Sequence, residues 1–319
     1  MTQLTFDQKA QLHWTSDRIK KVTGGKKLII DPLQCAQLLR SLGLLNSDAS
    51  MSADSVRKYR QINHMVTALS KTMLELSQQV QTVRILDCGC GNSYLTILIA
   101  WCFKYIWKKP AIIVGIDSRN DVIATSAKRA GELNLSDVVS FEKLSVQEFQ
   151  NRRASIGDIE QRRQSRNHMI IALHACDTAT DDAIALGFSE KSDVIAVAPC
   201  CQAELSTKWR QMAAENFRSA FSILINSPEL RRDSCSTFTD AMRVLLMRGQ
   251  GYEVTTTEFV PSSHTPKNRL ILGLRRGRYF EGALQEYLAL QDALGAGICL
   301  EDALTDEARD IMTSLRAHS

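Results

Sequence analysis

The chain has 319 residues, 44% hydrophobic and 23% charged, the proportions of an ordinary globular protein. That excludes a disordered chain, a collagen and a coiled coil, and the length allows one large domain with additions, or two. Lysine and arginine total 39 against 35 acidic residues, a net of +4, which permits a polyanionic partner without demanding one.

Residues 1–80 hold 11 Lys/Arg against 6 Asp/Glu, a net of +5. They read as mostly helical. Residues 30–44 have apolar positions at helical spacing with Pro32 near the start, and 52–77 form a longer pattern with Met65, Leu69, Met73 and Leu76 on one face. Gly24 and Gly25 mark a turn. From Val83 the pattern changes. Short β-rich runs at 83–86, 111–116, 138–141, 169–173 and 194–198 alternate with helices at 94–107 and 122–133. Such alternation builds a parallel, doubly wound α/β sheet. Residues 209–249 read as helical, and 252–260 with 269–274 as an antiparallel pair that closes the sheet. Residues 277–319 carry 3 basic against 8 acidic residues and read as a helical tail. The expected organisation is a helical segment 1–80, a sheet domain 81–276 with a helical insertion at about 205–250, and the tail 277–319.

The longest apolar run, 95–107, is broken by Lys104 and is too short to span a bilayer. The opening MTQLTFDQK lacks a basic-then-apolar signal. Nine cysteines, odd in number and scattered, are not a disulfide framework, and reduced thiols are the plain reading. The expectation is a cytoplasmic protein with no membrane partner; oligomeric state is not readable.

The most specific motif is Asp87-Cys-Gly89-Cys-Gly91, between the first strand and a helix. Glycines there let the backbone turn sharply and approach a ligand, and the helix start offers free N–H groups. The third glycine of a dinucleotide fingerprint is replaced by Tyr94, which disfavours that cofactor. An acidic residue before the first glycine suits a ligand with an amino group. The second strand ends in Gly115-Ile-Asp117, where a carboxylate can accept both hydroxyls of a ribose, at the edge where open α/β sheets bind ligands. The two signals together point to S-adenosylmethionine.

Three further stretches are rich in polar side chains: Leu173-His174-Ala-Cys176-Asp177-Thr-Ala-Thr-Asp181, Pro199-Cys200-Cys201-Gln202, and His264-Thr-Pro-Lys267-Asn-Arg269. The first two end the fourth and fifth strands, where loops on a rigid sheet carry chemistry. Residues 83–275 resemble the Rossmann-like class I methyltransferases, and the three stretches resemble a poorly characterised methyltransferase-domain family. That family includes the C-terminal domain of a glutathione-transferase-like protein. The His-x-Cys-Asp and Cys-Cys pair is similar, more distantly, to a tRNA 2′-O-methyltransferase.

The resemblance implies a seven-stranded, mostly parallel sheet and a cofactor site of Asp87, Gly89, Gly91, Asn92, Asp117, Ser118, Ser145 and Leu173. Asp87 would order the loop or reach the methionine moiety, and Ser145 would lie beside the adenine. It implies an acceptor pocket of His174, Asp177, Cys200 and Cys201, and RNA as the substrate. His174, with an ordinary pKa of roughly 6.5, and Asp177 are the candidate bases. Asp181 reads as a helix cap, and Lys267 and Arg269 as phosphate contacts or a solvated hairpin. Cys176, Cys200 and Cys201 with His174 offer zinc-type donors, but no Cys-x-x-Cys is present, so no metal is assigned. Arginines at 152, 153, 162, 163 and 166, lysines at 20, 21, 26 and 27 with Trp14 nearby, and Arg57, Lys58 and Arg60 form three basic clusters. A protein or small-molecule acceptor, and a non-catalytic binding module, stay open beside RNA.

Overall fold

The computed structural model describes residues 4–173, 175, 177–199, 202–215, 218–258 and 269–318. In chain order the elements begin with α1 (Phe6–His13), α2 (Ser16–Thr23), α3 (Ala36–Ser41) and α4 (Ala53–Gln79). Then come β1 (Val83–Cys88), α5 (Tyr94–Trp101) with a π-helical extension Cys102–Trp107, β2 (Ala111–Asp117), α6 (Asn120–Glu132) and β3 (Val139–Lys143). Next are α7 (Val146–Ala154), α8 (Ile159–Gln164), β4 (Met169–Ala172), α9 (Thr178–Ser189) and β5 (Val194–Val197). The chain ends with α10 (Ala203–Ala214), α11 (Ser222–Asn226), α12 (Pro228–Gly249), β6 (Tyr252–Glu258), β7 (Arg269–Arg275), α13 (Glu281–Leu294), a 3₁₀ turn Cys299–Ala303 and α14 (Asp306–His318).

The strands make one seven-stranded sheet in the order β3-β2-β1-β4-β5-β7-β6. The β2–β3, β1–β4 and β4–β5 pairs are parallel, and β7 runs antiparallel to both β5 and β6. This is the expected fold. The central strands β4 and β5 are buried at every position, because helices cover both faces of a parallel sheet and leave no polar side. By contacts the chain divides into two compact units. One holds the described residues up to Val83 and Cys90–Lys143; the other holds Arg84–Gly89, Leu144–Glu258 and the chain from Arg269 on.

In the first unit, the helix expected over 30–44 is reduced to α3. Asp31 accepts the amides of Leu33 (2.9 Å) and Gln34 (3.0 Å) on its side chain, and Pro32 follows it, so this stretch forms a turn before the helix. Ile30 is instead tied to α4. Its N–H donates to Asn63 Oδ1 (2.8 Å), and its carbonyl accepts from the Tyr59 hydroxyl (2.7 Å). Asn63 is therefore a satisfied polar residue on a buried stripe with Tyr59, Val66, Leu69, Met73 and Leu76. Trp14, placed near the lysines by sequence, is buried and belongs to the core. The helix expected at 94–107 changes to π geometry from Cys102.

In the second unit, Arg152 and Arg153 lie in α7, Arg162 and Arg163 in α8, and Arg166 just past it; Arg153 and Arg166 are structural. Arg153 is largely buried and pairs with Glu190 at 2.6 Å, while Arg166 pairs with Asp193 at 2.9 Å. Trp209 of α10 is fully buried and donates to the Leu294 carbonyl (3.0 Å), fastening α13 to α10. No helix among the described residues is long and apolar enough to cross a membrane.

His168, just ahead of β4, supplies a pH test. Its Nδ1 accepts the Arg84 N–H at 3.0 Å, a role open only to the neutral ring. Burial pushes its pKa down, and Arg166 and Arg84 push the same way against Asp193. The unfolded chain therefore binds this proton more readily. Stability from His168 is present above an unfolded value of roughly 6.5 and is lost as pH falls through the lower folded value. Urea titrations at pH 7.5 and 5.5 are expected to show a drop that His168→Gln reduces. An equal drop in that variant would assign it to other groups.

Candidate functional site

The loop after β1 and the end of β2 carry the cofactor motif. Gly89 and Gly91 sit at φ +68° and +52°, the left-handed region that glycine enters without strain. Ser93 shares that conformation at +57°, and its buried hydroxyl donates to Ser126 Oγ of α6 at 2.7 Å. The loop is fastened from below. Cys90 N–H donates to the Ile116 carbonyl (2.9 Å), and Gly91 N–H to Asp117 Oδ2 (3.0 Å). Gly115 makes this approach possible, since a Cβ there would fall 2.7 Å from the Phe141 ring and 3.1 Å from Cys90 Sγ. Asn92 offers its carbonyl to Arg129 (2.9 Å), whose guanidinium lies over the exposed Tyr94 ring.

Asp117 is buried and ionised. Its Oδ1 accepts the Arg119 backbone N–H (3.0 Å) and side-chain Nε (3.1 Å). Burial works to raise its carboxyl, but the Arg119 bonds and the Gly91 amide outweigh that and hold it below the usual carboxylate range. Arg119, 61% exposed, is the residue missed here; a cation two positions past the acidic residue was the available signal. Ser118 is exposed beside it. This set fits an adenosine-bearing cofactor: a glycine loop in left-handed backbone, with a charged acceptor locked to that loop.

The other expected cofactor residues lie in the second unit. Asp87 is buried at the end of β1, and Leu173 is buried just past β4. Ser145 caps α7: its hydroxyl accepts the Glu148 N–H (3.2 Å), and Glu148 returns to the Ser145 N–H (2.7 Å). Its side chain is thus engaged in the helix end.

Of the acceptor-pocket residues, His174, Cys200 and Cys201 lie outside the described residues, as do Cys176, His264 and Lys267. Asp177 is described. It has φ +52° and ψ −123°, a conformation costly for a residue with a Cβ. Its Oδ1 accepts the N–H groups of Ala203 (2.7 Å) and Glu204 (3.1 Å), so it caps α10, which follows β5, instead of its own helix α9. Asp177 thereby joins the ends of two adjacent strands.

Asp181 does not cap a helix. It is 3% exposed and takes a bidentate pair from Arg243 of α12, at 2.8 Å (Nε) and 2.7 Å (Nη2), while Arg243 itself is fully buried. Arg243 also donates to the Asp177 carbonyl (3.0 Å) and to Asp240 Oδ1 (3.3 Å). Asp240 binds Arg269 at 2.7 Å and Gln202 at 3.2 Å. Arg269 is thus held by a carboxylate at the start of β7 and does not stand as a solvated hairpin residue. Burial drives the Asp181 carboxyl up and Arg243 opposes it, whereas bonds to Asp181 and Asp240 hold Arg243 above its ordinary value despite burial. These directions pull the pair opposite ways. The ionised pair is the physical state, because a guanidinium does not release its proton and both oxygens are hydrogen-bonded. Sequence reading missed Arg243, although a lone charge in Ala-Met-Arg-Val-Leu-Leu-Met, three residues after Asp240, was the signal.

Donor atoms of Asp181, Glu204 and Cys299 lie within 4.8 Å of one another. The group does not suit a metal ion. Asp181 is engaged by Arg243, and Glu204 by Lys208 (2.7 Å) and the Cys299 amide (3.2 Å).

The structure thus has a doubly wound sheet with an antiparallel closing strand, a left-handed glycine loop and an ionised Asp117 bonded to that loop. Residues 57–208 match a family model described as a methyltransferase domain. Over that stretch, just under half of the chain, the protein is similar to methyltransferase domains. The chain is 24% identical over 246 residues to the Mus musculus glutathione S-transferase C-terminal domain-containing protein, covering 71% of this chain and 34% of that one. It is 30% identical over 241 residues to a homologue from Drosophila pseudoobscura pseudoobscura, covering 68% and 36%. The chain therefore spans about a third of the length of the curated relatives it matches. Among solved structures it is similar to the S-adenosylhomocysteine-bound Podospora anserina methyltransferase PaMTH1, with 12% identity and a TM-score of 0.42, over 86% of this chain and 99% of that one.

Proposed function

We propose that this chain methylates RNA in the cytoplasm. The observation that carries the methyl-transfer reading is the Gly91–Asp117 bond, which couples the glycine loop to an ionised ribose acceptor. When bound, S-adenosylmethionine supplies an electrophilic methyl group and leaves as S-adenosylhomocysteine. Gly89, Gly91 and Asn92 would cradle its amino-acid end, Asp117 would accept its ribose hydroxyls with Ser118 alongside, and Asp87, Ser145 and Leu173 are the remaining candidate contacts. His174 would take the proton of the acceptor group, with Asp177, which caps α10, and Cys200 and Cys201 as the other candidates for the acceptor pocket. RNA as acceptor is supported by the similarity of the His174–Asp181 and Cys200–Cys201 stretches to a tRNA 2′-O-methyltransferase, and by the net +5 of residues 1–80. The cytoplasm is supported by Cys35, Cys102, Cys235 and Cys299, buried or half-buried thiols outside any disulfide.

The test is incubation of the protein with methyl-labelled S-adenosylmethionine and cellular extract. Label is expected in the RNA fraction, and ribonuclease pre-treatment should abolish it. Ribonuclease-resistant label in protein or small molecules would overturn the RNA assignment. His174→Ala is expected to retain cofactor binding and lose turnover; normal turnover would exclude it as the base.

A further inference from the structure

We propose that α2, the turn after it and the first two turns of α4 form one phosphate-binding surface that holds the RNA substrate. In sequence, Lys20, Lys21, Lys26 and Lys27 are separated from Arg57, Lys58 and Arg60 by some 30 residues. The fold joins them. Gly24 and Gly25, at φ +66° and +77°, turn the chain back at the end of α2, and Gly25 N–H donates to the Lys20 carbonyl (3.0 Å). Lys26 and Lys27 thus return beside the last turn of α2. Arg60 Nε then donates to the Val22 carbonyl (2.9 Å), and Ile30 is pinned to Asn63 and Tyr59. The segment from Val22 to Ile30 is therefore held against α4 at both ends.

The charge on this surface is concentrated. Residues 17–31 and 54–60 hold eight cations (Arg18, Lys20, Lys21, Lys26, Lys27, Arg57, Lys58, Arg60) and three carboxylates (Asp17, Asp31, Asp54), a net of +5 against +4 for the whole chain. Two of the carboxylates are engaged: Asp31 by backbone amides and Asp54 by Arg57. All four lysines are exposed, and open space surrounds the Cβ direction of Gly24.

The chemistry favours a nucleic acid over an anionic membrane. An interfacial helix needs apolar side chains to insert. Here Ile19 and Val22 of α2 are half-buried and Trp14 is buried, so α2 itself presents cations and no apolar wedge. Without an exposed aromatic to stack on bases, the contacts read phosphates and not sequence. The surface also belongs to the unit that carries Gly91 and Asp117, and α4 packs on α5, the helix that follows the glycine loop. The inference rests on the RNA reading above.

The experiment is fluorescence anisotropy with labelled transfer RNA from 50 to 300 mM salt, on the full chain and on K20Q/K21Q/K26Q/K27Q. S-adenosylhomocysteine binding is followed in parallel by calorimetry. The variant is expected to bind RNA on the order of tenfold or more weakly, and its salt slope to fall by about 3, roughly 0.7–0.9 for each of four lost phosphate contacts. Its S-adenosylhomocysteine affinity should not change. RNA affinity and slope equal to the parent would overturn the proposal. So would vesicles of phosphatidylserine and phosphatidylcholine binding more tightly than RNA, with loss of only the vesicle binding in the variant. Parent protein that binds RNA but no S-adenosylhomocysteine would sink the cofactor reading and leave the surface; the reverse would sink the surface alone.

Discussion

Arg243→Met is expected to cost about 3–5 kcal/mol of folding stability, the range for breaking a buried ion pair by removing one partner. Methionine fills most of the volume, so the loss is electrostatic. Asp181 and Asp240, 3% and 5% exposed, would lose the guanidinium that holds both. Asp240 keeps Arg269, but Asp181 loses both of its Arg243 bonds. Burial then raises the Asp181 pKa with no counter-charge, and the folded variant takes up a proton that the unfolded chain takes up only at lower pH. For a carboxylate raised in this way, stability recovers as pH falls towards the unfolded value of roughly 3.9. The deficit should be larger at pH 8 than at pH 5. Arg243→Met/Asp181→Leu should regain much of it, because replacing the whole pair by apolar groups is often neutral. Urea unfolding of the three proteins at both pH values checks this. A single-variant loss below about 1 kcal/mol would show that the pair is not the buried tie described, since even an ordinary surface pair can reach that size.

Asp117→Ala is expected to weaken S-adenosylhomocysteine binding by about 1–3 kcal/mol, or roughly 5- to 150-fold, if the carboxylate accepts both ribose hydroxyls. The variant also releases the Gly91 amide and Arg119, which Asp117 holds in the ligand-free protein. Because its carboxyl lies below the usual range, Asp117 is ionised well under neutrality, and the parent's affinity should be flat from pH 8 to pH 5. Affinity would fall only as pH drops through the depressed value. Calorimetric titration measures both effects. Unchanged affinity in a folded variant would remove Asp117 from the cofactor site.

The central network also explains why the surroundings of the candidate acceptor residues were only partly legible. Leu-His-Ala-Cys-Asp and Pro-Cys-Cys stand out as polar runs at strand ends. Nothing local says that Asp177 caps a helix 26 residues later, or that Asp181 meets a residue 62 positions away. The same limit applies to Trp14. An aromatic beside lysines reads as a nucleic-acid contact, and only the packing of the N-terminal helices shows it buried. The helix over 30–44 failed for a more local reason, since Asp31 and Pro32 could have been read as a turn.

The alternation of strands and helices and the glycine loop were determined by the sequence itself, because they rest on short-range rules. Period-2 and period-3.6 patterns mark strands and helices, and glycine marks positive φ. Tertiary structure alone decided the partners of the charged side chains. Arg243 went to the core, Arg153 to Glu190 and Arg269 to Asp240, while Lys20, Lys21, Lys26 and Lys27 stayed exposed. The reason is physical. A charge can be buried only where a counter-charge meets it, and that meeting is set by how distant elements pack, not by neighbours along the chain.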